Sequence, residues 1–226
     1  VNGQRLLNLA GNDYLALGTR SDWQREFGRQ LEAQGQYWSS SSSQLLTGHS
    51  PLHQQVEATL ARLFQREAAL TFASGYQMNF GLLNALSTGK VLILADKLVH
   101  ASMVDGLLIS KASFLRYRHN DMAHLHALLC QHHAAFERII IVTESVFSMD
   151  GDIADLQQLV AFKREFANVA LYVDEAHAIG VRGESGLGCA EEQGCVAEID
   201  FLVGTFGKAV HSVGGYVLCS RLARDY

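Results

Sequence analysis

The stretch RIIIVTESV, residues 138–146, holds four apolar β-branched residues in succession, Ile139, Ile140, Ile141 and Val142. A strand with one wet face alternates apolar and polar side chains, so an unbroken run of this kind marks a strand buried on both faces at the centre of a parallel sheet. Outward from it the chain repeats one punctuation. On the N-terminal side stand a helix from about Met122 to His133, a short strand FLRYR that ends before His119, a helix from about Ala101, the strand VLILAD, an apolar helix around Met78 to Leu86 and the strand AALTFAS. Before these, PLHQQVEATLARLFQ reads as a helix with Pro51 in its first turn and Leu52, Val56, Leu60 and Leu63 on one side. On the C-terminal side follow the helix LQQLVAFKREF and the strands VALYVDEAH, DFLVGTF and GGYVLCS. Strands alternating with helices of about ten residues predict right-handed βαβ units, hence an α/β fold of three layers with an open, mostly parallel sheet and helices on both faces.

The 226 residues are 48% apolar, enough for one sizeable core. Eighteen basic against 23 acidic side chains leave a formal charge of −5, so no global positive field exists to draw nucleic acid or anionic lipid. No apolar run approaches the roughly 20 residues that span a bilayer, and no basic segment with an apolar core opens the chain, so a soluble cytoplasmic protein is expected. Cys130, Cys189, Cys195 and Cys219 show neither CxxC pairing nor metal-ligand spacing with histidine and read as reduced thiols packed like small apolar residues. Exposure is the alternative for Cys189 and Cys195, which lie among glycines. His124 and His126, two apart on a helix, point to different faces, and no metal is predicted. No linker or repeat divides the chain, and its start at Val1 reads as that of a fragment or a processed product.

In open α/β sheets ligands bind beyond the carboxyl ends of the strands. There this sequence collects its chemically useful residues: Ser74 and Gly75, then Asp96 and His100, Glu144 and Ser148, Asp174 and His177, Thr205 and Lys208. Lys208, just past an apolar strand, is either a surface residue or an amine at a site floor, where desolvation lowers its pKa and frees it for Schiff-base chemistry. Asp174 closes a buried strand, where a carboxylate is costly unless donors or a cation meet it. It caps a turn, or it meets the protonated ring nitrogen of a cofactor such as pyridoxal phosphate. His177 could then donate to the phenolic oxygen of the ring and His100 stack on its face. Ser74, Gly75 and Tyr76 open a helix whose free N–H groups suit a phosphate, and Thr205 adds a hydroxyl. Gly75 and Gly207 read as positions of close backbone approach. Neither GxGxxG after the first strand nor GxxxxGK[ST] occurs, which argues against dinucleotide and P-loop nucleotide binding.

Five segments in register, NDYLAL at 12–17, LVHASM at 98–103, TESVFSMDGD at 143–152, VDEAHAIGVRGESGLG from 173 and GTFGKA at 204–209, resemble the α-oxoamine synthases, fold type I pyridoxal phosphate enzymes. The resemblance runs over essentially the whole chain. It implies that Lys208 binds the cofactor covalently, Asp174 pairs with the ring nitrogen, His177 meets the ring hydroxyl and His100 stacks on the ring beside the substrate, so that Lys208, His100 and Asp174 are catalytic. Gly75, Tyr76 and Thr205 would hold the phosphate, Ser148 would contact the cofactor, and Asn12 would lie near the substrate carboxylate. The fold implied is the large domain of those enzymes with its last strand antiparallel: residues 1–50 form an N-terminal arm and substrate-side segment, 51–226 the cofactor-binding domain, and the small C-terminal domain is absent. A homodimer is implied as well. The family reaction is a decarboxylative condensation of an amino acid with an acyl thioester. The member most resembled joins L-alanine to a pimeloyl thioester of coenzyme A or acyl carrier protein in biotin biosynthesis. Glycine or serine with a different acyl-CoA is the alternative within the family, and a catalytically silent cofactor-binding fragment the alternative outside it. Two segments depart from the pattern. WSSSSSQLLTG at 38–48 stands where the family has a Gly-rich loop, and His211 stands where a small residue is usual, either narrowing the acyl channel or lying at the surface.

Overall fold

A computed structural model describes residues 3–36 and 39–226, so Val1 and Trp38 lie outside the described residues. Seven strands form one sheet: β1 (Ala68–Phe72), β2 (Val91–Asp96), β3 (Ser113–Tyr117), β4 (Arg138–Glu144), β5 (Val169–Asp174), β6 (Phe201–Thr205) and β7 (Gly215–Cys219). Their order is β1-β7-β6-β5-β4-β2-β3. Six strands share one direction, and β7 runs antiparallel to both of its neighbours. The helices are α1 (Ser21–Ala33), α2 (Pro51–Leu63), α3 (Gly75–Ala85), α4 (Ala101–Ile109), α5 (Met122–His132), α6 (Leu156–Glu165), α7 (Cys189–Glu192) and α8 (Arg221–Asp225). The expected α/β architecture with an antiparallel last strand is the one observed.

The β-branched run of β4 explains the layering. Successive side chains of a strand face opposite ways. Ile139 and Ile141 enter one core with Leu92, Leu94, Leu171 and Val173, while Ile140 and Val142 enter another with Val91, Ile93 and Tyr172. Helices α2, α5 and α6 cover the first face through Leu60, Leu125, Leu129, Leu159 and Phe162, and α3 and α4 cover the second through Met78, Leu83, Met103 and Leu107. Fully burying each such side chain favours folding by about 1.5–3 kcal/mol, which is why β4 holds no polar residue between Arg138 and Thr143.

The structure corrects several details. On α2 the buried residue is Leu60, followed just past the helix end by Phe64, while Val56 and Leu63 are 40% and 45% exposed. The helix lies along the edge strand β1, and only a narrow line of it meets the sheet. Helix α3 starts at Gly75, three residues earlier than its apolar pattern, because Ser74 caps it by accepting the Gln77 N–H at 3.1 Å. Helix α1 was not anticipated; Trp23, Phe27 and Leu31 recur at helical spacing, but only Leu31 is buried. Cys130 is exposed, whereas Cys189, Cys195 and Cys219 are buried. Among the described residues no helix is long and apolar enough to cross a membrane.

Asp96, the buried end of β2, does not face the site but anchors a clamp. It receives the Leu98 and Asn120 N–H groups at 2.8 and 2.9 Å and His119 Nδ1 at 2.9 Å, and the other ring nitrogen of His119 reaches Asp152 at 2.7 Å. Burial pulls the His119 pKa down, but the two carboxylates outweigh it and hold it above its ordinary value. A raised folded pKa contributes stability that is full below about pH 6.5 and is lost as pH rises through the folded value. His119→Gln is expected to cost about 1–3 kcal/mol near pH 6 and clearly less near pH 9, read by chemical denaturation. An equal loss at both pH values would show that the clamp is not ionic.

Candidate active site

The carboxyl ends of β4, β5 and β6 and the amino ends of α3 and α4 surround a cavity of about 220 Å³, walled in part by Asn12, Gly75, Tyr76, His100, Asp174, Thr205 and Lys208. A larger hollow of about 560 Å³ beside α2 and β1 contains none of the residues singled out from the sequence.

Asp174 is the end of β5 and is buried. One carboxylate oxygen accepts the Ala176 N–H at 2.9 Å and the other the Asn79 side-chain N–H at 3.0 Å. Asn79 is oriented in turn, because its oxygen accepts the Tyr172 hydroxyl at 2.6 Å and its nitrogen also donates to Ser102 Oγ at 3.1 Å. Ser102 Oγ lies 2.8 Å from His100 Nδ1, and the Ser102 N–H donates to the same nitrogen at 3.2 Å. A ring nitrogen facing a backbone donor must be unprotonated, so His100 presents its N–H from Nε2. One network thus links β5, α3 and α4 and fixes both Asp174 and His100.

Lys208 Nζ lies 2.8 Å from His177 Nε2. Burial lowers the Lys208 pKa against the pull of Asp174 and Glu144. Burial, then the lysine and His100, bring His177 down to about 4, so its imidazole is neutral. At the other end of the cavity, α3 directs the Gly75 and Tyr76 N–H groups outward from a capped first turn of an 11-residue helix. Thr205 Oγ1 sits beside them, donating to the Gly214 carbonyl at 2.9 Å and accepting from the Gly207 N–H at 3.1 Å. A Cβ on Gly75 or Gly207 would meet Thr205 at 3.4 Å. Behind this corner a Cβ on Gly215 of β7 would lie 2.9 Å from the Gly75 Cα and 3.0 Å from its nitrogen, so the strand and the helix start meet backbone to backbone.

The structure brings most of the candidates together. Ser148 is exposed in the turn after β4 and does not line the cavity, nor do Ser39–Ser43, which are exposed. His211 lies at the surface with positive φ, 3.5 Å from Asp13 of the arm, and does not narrow the cavity. Sequence reasoning missed Asn79 and Ser102 as site residues. The signal was there: Asn79 is an amide on the buried side of an apolar helix, one turn past Gly75. It also missed Tyr14, whose hydroxyl lies 2.7 Å from His177 Nδ1.

This donor set fits one kind of group. An amine of lowered pKa suits a carbonyl carbon, a neutral imidazole beside it suits a phenolic oxygen, a held carboxylate suits a ring N–H, and a helix start with a hydroxyl suits a phosphate. Residues 4–226 match the aminotransferase class I and II family, and the chain belongs to it. A relative from Pasteurella multocida, provisionally named 8-amino-7-oxononanoate synthase, is 55% identical over 98% of this chain, which spans 57% of that protein's length. The serine palmitoyltransferase of Sphingomonas wittichii superposes with a TM-score of 0.91 at 33% identity, over 99% of this chain and 55% of its own. The serine palmitoyltransferase of S. paucimobilis, solved with a pyridoxal phosphate–myriocin adduct, superposes at 0.87 and 32% identity over 95% of this chain and 55% of its own. The α-oxoamine synthase resemblance read from the five motifs therefore stands.

Glu144, at the end of β4 and in register with Asp174, also lines the cavity. Burial and then the charge of Asp174 push its carboxyl up to about 8. A folded pKa above the ordinary 4.5 means the folded state holds a proton that the unfolded chain releases, so this contribution is full below 4.5 and is lost as pH rises through about 8. In cofactor-free protein, Glu144→Gln should flatten the fall in melting temperature between about pH 5 and pH 8.5. A fall as steep as that of the wild type would remove Glu144 from this account.

Proposed function

We propose that this chain binds pyridoxal 5'-phosphate and belongs to an acyltransferase that condenses L-alanine with a pimeloyl thioester, on coenzyme A or acyl carrier protein, to 8-amino-7-oxononanoate, carbon dioxide and free thiol in biotin biosynthesis. The observation that carries the cofactor is the meeting of Lys208 and Asp174 on the cavity wall, with His177 Nε2 2.8 Å from the Lys208 amine. The 55% identity to the P. multocida relative supports the substrates, against 33% for the serine palmitoyltransferase of S. wittichii. That structural likeness is why serine or glycine with another acyl-CoA is the second reading.

When bound, the cofactor supplies an electrophilic carbonyl carbon and a protonated ring that withdraws electrons from the substrate's α-carbon. Lys208 would supply the amine that holds the cofactor and a base for the substrate's α-proton, its pKa already lowered by burial. Asp174, held by Asn79 and the Ala176 N–H, keeps its carboxylate aimed at the ring nitrogen. His177 turns Nε2 to the phenolic side, and His100 covers the ring face with its Nε2–H free for the substrate. Gly75, Tyr76 and Thr205 hold the phosphate, with Asn12 on the substrate side. Ser148 takes part only if the turn after β4 moves inward. Residues 51–226 act as the cofactor-binding domain and 1–50 as the arm. Exposed Leu6, Leu7, Leu9, Trp23 and Phe27 on the arm support a homodimer of a cytoplasmic protein.

Lys208→Ala should abolish borohydride capture of the cofactor on the peptide carrying GTFGKA; capture at that peptide in the variant would refute the assignment. Asp174→Asn should retain cofactor yet slow exchange of the alanine α-proton by at least about 100-fold, as expected for loss of an electron sink. Near-normal exchange would sink the role. The product mass from alanine with pimeloyl thioester, against serine or glycine with other acyl-CoA donors, separates the two substrate readings.

A further inference from the structure

His211 stands three residues after Lys208, in the loop between β6 and β7, with a positive φ of 51°. A β-carbon in that region crowds its own backbone, so a histidine is held there at a cost that glycine would avoid. The loop does not use the side chain to close. Backbone bonds close it, from the His211 N–H to the Lys208 carbonyl at 2.9 Å and from the Ser212 N–H to the Phe206 carbonyl at 2.8 Å. The imidazole reaches out of the loop to the arm instead. Its Nδ1 lies 3.5 Å from Asp13 Oδ2, and the ring lies so close over Gly18 that a Cβ there would be 2.5 Å from Cε1 and 2.7 Å from Nε2. Asp13 accepts the Leu17 and Gly18 N–H groups, each at 2.9 Å, so the arm offers the ring a closed turn with a bare glycine at its crest. A second seam lies beside the first: a Cβ on Gly180 would meet Leu15 Cδ1 of the arm at 3.2 Å and Ala209 Cβ of the loop at 2.9 Å.

We propose that His211 is a positioning residue, a latch that fastens the arm to the loop carrying Lys208 and so holds Asn12 in place on the cavity wall. Asn12 lines the cavity, and Tyr14 beside it lies 2.7 Å from His177 Nδ1, so this stretch of the arm sits against the site itself. The charge contact with Asp13 is open to water and contributes little alone. The grip is therefore the seat of the ring on Gly18, which any side chain at 18 would fill. The purpose of the latch rests on the cofactor reading, whereas its existence does not.

Amide hydrogen exchange in cofactor-free protein tests the grip at residues 16–20, whose N–H groups are all hydrogen-bonded. His211→Gly removes the ring and relieves the positive φ, so the fold and the loop 206–214 should keep their protection while 16–20 exchange at least about tenfold faster. Gly18→Ala fills the seat from the other side and should shift the ring resonances of His211. In protein loaded with pyridoxal phosphate, His211→Gly should keep the cofactor absorbance but need about tenfold more L-alanine for half of its spectral change, as expected when a substrate-side residue loses its place. The proposal is overturned if 16–20 keep wild-type protection in His211→Gly, if only 206–214 loosen, if Gly18→Ala leaves the His211 resonances unmoved, or if the alanine requirement is unchanged. A wild type that shows no spectral response to alanine would count against the substrate reading alone, because the exchange and resonance measurements need neither cofactor nor substrate.

Discussion

A carboxylate at the end of a strand buried on both faces is the constraint around which the site is arranged. Asp174 has left water, and an ion there is tolerable only if its lone pairs are met. The Ala176 N–H meets one oxygen and Asn79 the other, and Asn79 can do so only because Tyr172 takes its carbonyl. The same amide reaches Ser102, which holds His100. The need to satisfy one charge therefore dictates the positions of an amide on α3, a hydroxyl on α4 and an imidazole at the start of α4.

The second consequence is electrostatic. Glu144 sits beside Asp174 in register, and two carboxyls this close in a dry place do not both ionise readily. Glu144 is pushed up to about 8, by burial first and then by its neighbour across the ladder. Behind the wall a third carboxyl, Glu175, is satisfied by the Ser145 hydroxyl and the Cys189 and Ala190 N–H groups, tying the chain after β5 to the start of α7.

The sheet was legible because its physics is local: the run at Ile139–Val142 has one low-energy setting, and each strand end next to a chemically active residue marks one rim. The residues that bond across that rim were less legible. Asn79 and Ser102 looked like ordinary polar residues on apolar helices, and their partners Asp174 and His100 are distant in sequence. Asp96 shows the converse error, a strand-end acid that folds back to bind His119 and not the cavity. The close meeting of Gly215 with Gly75 was not legible either, because it depends on which strand lies beside β1, and β7 is distant in sequence. For α1 the spacing of Trp23, Phe27 and Leu31 was visible, yet an exposed amphipathic segment has too little burial to declare itself.

The placing of β7 has a further effect, on the order in which the molecule can be made. Ala68 at the start of β1 pairs with Cys219 at the end of β7, and β1 touches the rest of the sheet through β7. As the chain leaves the ribosome, β2 to β6 can assemble in succession, while β1, produced before any of them, waits for the final strand. The start of α3, carried by the turn after β1, joins the Thr205 end of β6 only when that strand lies between β1 and β6. A chain cut short after Lys208 would therefore keep β5 and β6, which lead to the carboxylate and the lysine, but would lack the strand that ties β1 and the start of α3 to them.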